Sequence, residues 1–304
     1  MSIDYRTLEM DNVTIADEKG AETYKWLSRK PKGDVGKIVE AGNGNQVKFI
    51  SIEGTSGLGK TTIINKLSDC DNIKPFTLDF NEFLETRPKE EKKILNWSTK
   101  SSDAVMAGFY NEYLNQKITK EIENVPSGVE VLLSDRAKLS DTIYNLLFSC
   151  VEKEDKNLPT AEIVEKFKAR WENYAKVLCK NYASDLESYI IVIDSVSNKV
   201  LDRIAKRDTP LDRKFIAMFE NYPEVQSHIW SYIAEDLKLP LIDMQGGFVS
   251  DNIEGILRDC GVKICWSREM SHNVQTRVPC LAILLLMVMG VLFYGLIITF
   301  IIFF

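Results

Sequence analysis

One loop between a predicted strand and a predicted helix constrains this chain more than any other feature of its sequence. Residues 54–61 read GTSGLGKT, so two glycines, Lys60 and Thr61 have the spacing of a phosphate-binding loop. Residues 47–52 before the loop are β-branched and aromatic, and apolar residues recur at helical spacing after it. This context of strand, loop and helix predicts a site for a nucleoside triphosphate.

Each residue type in the loop has a chemical reason to be there. Gly57 and Gly59 permit backbone angles that let successive N–H groups curl around phosphates. Lys60 reaches the β- and γ-phosphates, and the Thr61 hydroxyl is placed to bind Mg²⁺. The helix that begins near Lys60 directs the positive end of its dipole at the same anion site. The predicted nucleotide-binding residues are Gly54, Thr55, Ser56, Gly57, Leu58, Gly59, Lys60, Thr61 and Thr62.

The C-terminal end of the chain has the composition of a membrane span. Residues 278–304 contain no charged residue, and the run exceeds the roughly twenty residues that cross a bilayer. A buried core helix is the alternative, but core helices are rarely apolar on every face. Lys263, Arg268 and Arg277 precede the run, which favours a cytoplasmic location for the rest of the chain. We therefore predict a single-pass tail anchor that enters the lipid bilayer.

Composition excludes several other classes of protein. The net charge of −6 provides no basic face for a nucleic acid, so no nucleic-acid partner is expected. The six cysteines form no close pairs and no secretory signal opens the chain, which indicates a reducing compartment. Cys260 and Cys265 lack metal-binding spacing, and there are only two histidines. A zinc site is therefore not expected.

Strand and helix patterns alternate through the middle of the chain. The predicted strands are residues 47–52, 74–79, 129–134, 189–194 and 239–244. Because these runs are nearly continuously apolar, they predict a three-layer α/β fold with a five-stranded parallel sheet covered on both faces. The predicted divisions are a partly ordered extension at 1–45 with a short helix at 21–28, the α/β domain at 46–262, a juxtamembrane linker at 263–277 and a transmembrane helix at 278–304.

Polar residues follow the second and third predicted strands. Asp79 is a candidate general base, with Glu82 and Glu85 as neighbours that could take the role instead, and a helix cap is the alternative. Asp135 offers a carboxylate for Mg²⁺, and Arg136 offers a guanidinium for a phosphoryl group, unless the two form a structural ion pair. The carboxyl ends of parallel strands meet at one edge of a sheet, which is where such folds bind ligands.

A basic cluster follows the fourth predicted strand. Arg203, Lys206 and Arg207 share one helix face, and Arg213 follows shortly after. Such a cluster is either a solvated surface or a cationic flap that closes over a triphosphate. Its place directly after a strand favours the flap.

Three segments carry a resemblance to a known family. They are IEGTSGLGKTT at 52–62, LLSDRAKLSDTIY at 132–144 and DRIAKRDTPLDRKFIAMF at 202–219. Over residues 47–260 the chain resembles the P-loop deoxynucleoside kinases, including thymidine kinases of the herpesvirus type, and more distantly the thymidylate kinases. The resemblance implies a P-loop fold of the nucleoside and nucleotide kinase type, ATP as phosphoryl donor, Mg²⁺, and a homodimer.

The resemblance also implies roles for individual residues. Asp79 falls on the carboxylate that activates the nucleoside 5′-hydroxyl, while Asp135 and Arg136 match the pair that serves magnesium and the phosphoryl group. Arg203 and Arg207 match the flap that closes on the donor. Together with Thr61 as a second metal ligand, these residues make up the expected catalytic site.

The chain also departs from the family, and the departures leave alternatives open. Phe80 follows Asp79 where the family commonly has proline, and Asn111 is the only amide between residues 104 and 113, where a base-reading glutamine is expected. The Arg-Glu-Pro-Gly signature of thymidylate kinases is absent. The leading expectation is a membrane-anchored deoxynucleoside kinase. The alternatives are a thymidylate-type nucleoside monophosphate kinase and a catalytically weak nucleotide-binding scaffold.

Overall fold

A seven-stranded sheet organises the chain in this computed structural model. The structure describes residues 16–17, 20–21, 24–31, 33–78, 80–85, 100–151, 158–175, 189–207 and 221–266. The strands are β1 Ala16–Asp17, β2 Gly20–Ala21, β3 Lys25–Trp26, β4 Lys37–Glu40, β5 Gln46–Gly54, β6 Ile73–Thr77, β7 Val131–Asp135, β8 Tyr189–Ile193 and β9 Leu241–Asp243. The helices are α1 Lys60–Leu67, α2 Phe80–Glu85, α3 Lys100–Glu123, α4 Lys138–Val151, α5 Thr160–Arg170, α6 Ser197–Arg207, α7 Tyr222–Asp236 and α8 Val249–Asp259.

Five strands of the sheet are parallel, in the order β6, β7, β5, β8, β9. Every residue of β8 is buried, as are the last six residues of β5. Successive side chains of a strand point to opposite faces, so this burial means that both faces are covered. The prediction of a five-stranded parallel sheet is confirmed. Strand β5, which leads into the phosphate loop, lies at its centre.

Two further strands of the sheet come from the first 45 residues. Strand β4 pairs with β5, and β3 pairs with β9, both antiparallel. The helix predicted over residues 21–28 is wrong, because Lys25–Trp26 is a strand. Trp26 is 1% exposed, and both its indole N–H and the Tyr24 hydroxyl donate to Asp259. Burial against the rest of the domain therefore decides this segment, rather than its local helical preference.

The predicted helices between the strands are present, with shifted ends. The amphipathic pattern of residues 161–182 predicts one long helix; the structure describes α5 and a π-helical turn at Trp171–Ala175, and the last residues of the range lie outside the described part of the chain. The pattern of residues 212–237 predicts another helix, of which the described part is α7. Trp171 stacks on Phe167 and donates to Asp236, so α5 is held against α7.

A second unit comprises residues 69–71 and 265–304, of which 69–71 and 265–266 are described. In it Cys70 and Trp266 form an isolated antiparallel bridge, and the Asp71 N–H donates to the Cys265 carbonyl over 2.8 Å. Among the described residues, no helix has both the length and the apolar composition that crossing a bilayer requires. The run at 278–304 lies outside those residues, so its membrane span stays a prediction.

Candidate active site

The phosphate loop turns between β5 and α1 on three glycines with positive φ. Gly54 has φ 118°, and a Cβ there would lie 1.8 Å from the Val192 carbonyl oxygen of the neighbouring strand β8. Gly57 has φ 79°, and Gly59, with φ 78°, is the residue directly before α1. Only glycine adopts these conformations readily, so the backbone meets the requirement that the sequence motif predicts.

The loop is held from two sides by backbone hydrogen bonds. The Thr55 N–H donates to the Val192 carbonyl over 2.9 Å, and the Leu58 carbonyl accepts from the Val249 N–H at the start of α8 over 2.8 Å. The Leu58 side chain is buried below the loop. These contacts fix the loop between β8 and α8.

Lys60 lies within the curl of the loop and is 5% exposed. Its Nζ donates to the Thr55 carbonyl over 2.6 Å and lies 3.5 Å from the Gly54 carbonyl. Burial lowers the pKa of Lys60 well below its usual range, and the charge of Arg136 lowers it further, although Asp135 opposes both. An anionic ligand beside Nζ would raise the pKa again, so phosphate binding and protonation of Lys60 favour each other.

Thr61 and Asp135 meet at the edge of the site. The Thr61 Oγ1 donates to Asp135 Oδ2 over 2.5 Å, because β7 runs beside β5 with Ile52 paired to Asp135. Asp135 Oδ1 is buried and has no hydrogen-bond partner among the described residues. A hydroxyl and a carboxylate are oxygen ligands of the kind that Mg²⁺ prefers.

Thr61 and Asp135 fit a magnesium ion that takes its remaining ligands from phosphate oxygens and water. Within the described part of the chain, no group of three or more His, Cys, Asp or Glu side chains could hold a metal. Mg²⁺ usually keeps several waters and binds through one or two carboxylates together with substrate phosphates. Thr61 and Asp135 would therefore hold the ion with phosphate oxygens, where it would neutralise charge on the transferred group.

Arg136 extends over the same loop. Its Nη1 donates to Ser140 Oγ over 2.8 Å and to the Gly54 carbonyl over 3.3 Å, while Nη2 donates to Ser56 Oγ over 3.2 Å. The guanidinium lies 5.0 Å from the centre of the Tyr144 ring. Its backbone has φ 74°, an unfavourable angle for a residue with a side chain. The contacts hold the Arg136 guanidinium beside the loop, although its backbone angle is unfavourable.

Glu53 is a buried acid that sequence reasoning did not single out. It is the residue before the first loop glycine and is fully buried. Its carboxylate accepts hydrogen bonds from Ser51 Oγ, the Ala137 N–H and Ser140 Oγ. Burial raises the pKa of Glu53, although Arg136 and these hydrogen bonds act against that increase. The available signal was an acidic residue at the end of a mostly apolar strand, directly before the first loop glycine.

Arg203 lies where the ends of β8 and β9 meet. It donates to Asp194 Oδ2 over 3.4 Å and to the Gly246 and Gly247 carbonyls over 2.6 and 3.1 Å. Its guanidinium lies 3.9 Å from the centre of the Phe248 ring, which is 38% exposed. The Arg203 guanidinium is therefore occupied by contacts with other groups of the protein.

Arg207, one turn further along α6, has an exposed side chain. Its charge is near enough to Lys60 to lower the pKa of that residue. Helix α6 packs beside the loop, since a Cβ at Gly57 would lie 3.0 Å from Ile204. The two arginines predicted for a flap therefore lie near the loop on one helix, with different surroundings. Arg213 lies outside the described residues.

Asp79, the candidate general base, also lies outside the described residues. The strand before it ends at Thr77, which pairs with Asp135. Of its two competitors, Glu82 forms an ion pair with Lys117, and this hydrogen bond lowers the pKa of Glu82. A carboxylate so engaged is a poorer proton acceptor. Glu85 is exposed on α2.

Two further residues, from α7 and α4, join the site. Gln226 of α7 is 1% exposed, and its Oε1 accepts from the Ser56 N–H over 3.1 Å. The same oxygen accepts from the Tyr144 hydroxyl of α4 over 2.7 Å. Tyr144 ends the segment 132–144 that carries the family resemblance, but nothing in the sequence pointed to Gln226, because its contacts join segments far apart in the chain.

Comparisons with known proteins find a limited likeness. No protein-family model and no curated protein matches the chain. Among solved structures, a deoxyadenosine kinase from M. mycoides with bound dATP is 18% identical, with a TM-score of 0.45 over 70% of this chain and 99% of that one. A thymidylate kinase from Candida albicans is 13% identical, with a TM-score of 0.44 over 72% of this chain and 97% of that one.

The fold itself places the phosphate loop after the central strand of a mostly parallel sheet, at the edge where α/β folds bind ligands. Residues predicted from the loop motif lie beside residues predicted from the end of the third strand, since Thr61 donates a hydrogen bond to Asp135 and Arg136 donates one to Ser56 of the loop.

Proposed function

We propose that the protein transfers the γ-phosphoryl group of ATP to the 5′-hydroxyl of a deoxynucleoside with Mg²⁺. The observation that carries the proposal is the junction of the phosphate loop with Thr61, Asp135 and Arg136. Phosphoryl transfer needs the phosphates held, their charge neutralised and the acceptor aligned. The loop and Lys60 supply the first requirement, and the metal pair with Arg136 supplies the second.

The choice of a nucleoside as acceptor rests on sequence resemblance. In the proposed reaction Asp79 accepts the proton of the acceptor hydroxyl, and Arg207 adds positive charge at the triphosphate. Arg203 supports the loop after β9 through the Gly246 and Gly247 carbonyls and stabilises charge from there.

One observation favours a second candidate, a nucleotide-binding scaffold with weak catalysis. Arg203 is engaged by Asp194 and by two backbone carbonyls, so it cannot reach a phosphate without losing these contacts. If Arg203 serves as a structural contact and does not close over the triphosphate, the protein would bind ATP but transfer little of its γ-phosphoryl group. A nucleoside monophosphate kinase is the remaining alternative, and the choice of acceptor separates it from the first.

The first test is release of ADP from ATP and Mg²⁺ by the full chain in detergent micelles. Each deoxynucleoside and each deoxynucleoside monophosphate is offered in parallel. Turnover on a nucleoside supports the proposal and identifies the base. Turnover on monophosphates alone overturns it in favour of the monophosphate kinase. ATP binding without transfer to any acceptor favours the scaffold.

Lys60→Ala tests the assignment of the site. We expect turnover to fall by about 10²–10³-fold, as on removal of other charge-stabilising groups. The fold should persist, because the substitution removes a cation that is costly to bury. Lys66→Ala is the matched control, since Lys66 lies on the same helix and contacts Ser250 and Glu254 instead. Equal activity of Lys60→Ala and the wild type would refute the site.

We also propose that residues 278–304 anchor the chain in a membrane with the kinase domain on the cytoplasmic side. The support is the length of the uncharged run and the basic residues before it. The full chain and a variant ending at Arg277 are each mixed with lipid vesicles and floated on a density gradient. Flotation of the full chain alone is expected, and a full chain that stays at the bottom contradicts the anchor.

From the family resemblance we also propose that the protein forms a homodimer. Sedimentation of the detergent-solubilised chain measures its mass directly. A single species with the mass of one chain across the concentration range would overturn that proposal.

A further inference from the structure

Four side chains close a ring of polar contacts around the start of the phosphate loop. Gln226 Oε1 accepts from the Ser56 N–H and from the Tyr144 hydroxyl. Ser56 Oγ accepts from Arg136, whose guanidinium lies over the Tyr144 ring. The Tyr144 hydroxyl also lies 3.4 Å from Ser56 Oγ. One amide oxygen of α7 therefore joins the loop to the helix that follows Asp135 and Arg136.

The orientation of the Gln226 amide is determined by its neighbours. Both groups that meet Oε1 are donors, so the reversed amide would place its NH₂ against the Ser56 N–H. In the orientation that satisfies the loop, Nε2 is buried with no hydrogen-bond partner among the described residues. A buried unpaired donor costs free energy. Gln226 therefore supports the loop, although its unpaired Nε2 lowers the stability of the folded domain.

The position of Ser56 explains what the contact controls. Ser56 lies between the first two glycines of the loop, and the Ser56 N–H is directed at Gln226. Without that acceptor, the peptide before Ser56, which lies between flexible glycines, is oriented only by the hydrogen bond from Lys60 Nζ to its Thr55 carbonyl among the contacts described for it. The amides that follow would then have to be ordered by the ligand, which weakens binding.

We propose that Gln226 is a positioning residue that holds the phosphate loop in its anion-binding shape and, through Tyr144, holds Arg136 over it. The proposal deepens the proposed ATP-binding function and rests on it. Gln226 need not touch a substrate to act in this way. Its effect passes through the Ser56 peptide and through the tyrosine beneath the guanidinium.

The test compares three variants of the full chain in detergent micelles. Gln226→Met keeps the volume and length of the side chain and removes both the acceptor and the unpaired donor. Tyr144→Phe keeps the ring under Arg136 and removes the hydroxyl. Ile233→Ala is the matched control, because Ile233 is also buried on α7, about 10 Å further along the helix axis.

We expect Gln226→Met to weaken ATP binding, measured by calorimetry, by about tenfold, which is typical of one lost buried hydrogen bond. In turnover assays the KM for ATP should rise by a similar factor, with kcat within about threefold. Tyr144→Phe should have a smaller effect. The double variant should be no weaker than Gln226→Met alone, because both substitutions act through one oxygen. Ile233→Ala should lower the melting temperature and leave the affinity for ATP unchanged.

Hydrogen exchange separates this proposal from the proposed function. The Ser56 amide should exchange at least about tenfold faster in Gln226→Met than in Ile233→Ala, measured without nucleotide. If the wild type binds no ATP, the proposed function fails and the exchange result still decides the role of Gln226. Equal exchange at Ser56 in both variants, or an affinity loss in Gln226→Met no larger than in Ile233→Ala, overturns the positioning role.

Discussion

Asp141 makes the stability of this protein depend on pH in a direction opposite to that of most acidic side chains. It lies in the first turn of α4, three residues before Tyr144, whose hydroxyl contacts the phosphate loop. Burial raises the pKa of Asp141 from 3.8 to about 6, although the Asn145 amide donates to Oδ1 over 2.9 Å and acts against that shift. Asp141→Asn removes the charge and keeps an oxygen that can accept from Asn145.

The sign and size of the effect follow from the two pKa values. Below the unfolded pKa of 3.8 both states hold the proton, so stability is not reduced. As pH rises from there to about 6, the unfolded state loses its proton first, and the free energy of unfolding falls. The full shift corresponds to about 3 kcal/mol. Because Asp141 is partly exposed, solvent screening reduces this, and we expect about 2 kcal/mol above the folded pKa.

The assay is urea unfolding of the full chain in detergent, followed by tryptophan fluorescence. At pH 7.5 we expect Asp141→Asn to be more stable than the wild type by about 2 kcal/mol, and at pH 4 by less than about 0.5 kcal/mol. Glu165→Gln is the control, because this exposed carboxylate pairs with the nearby Lys168 at the surface, where an ion pair contributes little to stability, so the substitution should change the free energy of unfolding little. Equal stabilisation by Asp141→Asn at both pH values, or none at pH 7.5, refutes burial of the charge as the cause.

Three further predictions concern the loop and the residues that hold it. Glu53→Gln should lower the free energy of unfolding by about 1–3 kcal/mol and reduce kcat, because Glu53 accepts a hydrogen bond from Ser140 Oγ, which itself accepts one from Arg136. Unchanged thermal unfolding and turnover would contradict this. Gly54→Ala should cost more than about 3 kcal/mol, since its Cβ would lie 1.8 Å from the Val192 oxygen. Gly44 also has a positive φ, 79° against 118° at Gly54, but a Cβ there would meet nothing within 4 Å, so Gly44→Ala should cost about 1–2 kcal/mol in the same unfolding assay. Thr61→Val should raise the Mg²⁺ concentration for half-maximal turnover by about tenfold and leave ATP binding without metal unchanged; an unaltered magnesium titration would remove Thr61 from the metal site.

Much of the fold could be predicted because its signals are local. Each of the five parallel strands is a short apolar run, and burial on both faces produces such a run wherever the strand is placed. The phosphate loop is local as well, since its glycines, Lys60 and Thr61 lie within eight consecutive residues. The meeting of Thr61 with Asp135 followed from a general rule, that parallel strands end at one edge of the sheet.

The rest depended on contacts between distant parts of the chain. The segment at Lys25–Trp26 became a strand because Trp26 is buried and donates to Asp259, more than two hundred residues away. Arg203 was predicted from its neighbours in sequence to be a mobile cation, and the Gly246 and Gly247 carbonyls that engage it come from a different strand end. Its role in phosphoryl transfer stays a prediction.

Sequence alone determined the parallel α/β architecture, the phosphate loop and the expectation of a membrane tail, because spacing and composition within one segment encode each of them. Tertiary structure alone decided that Glu53 supports Arg136 through Ser140, and that Gln226 meets the Ser56 N–H across 170 positions. A hydrogen bond between distant residues leaves no periodic trace in either segment. Its partners become visible only when the sheet and helices bring them within about 3 Å.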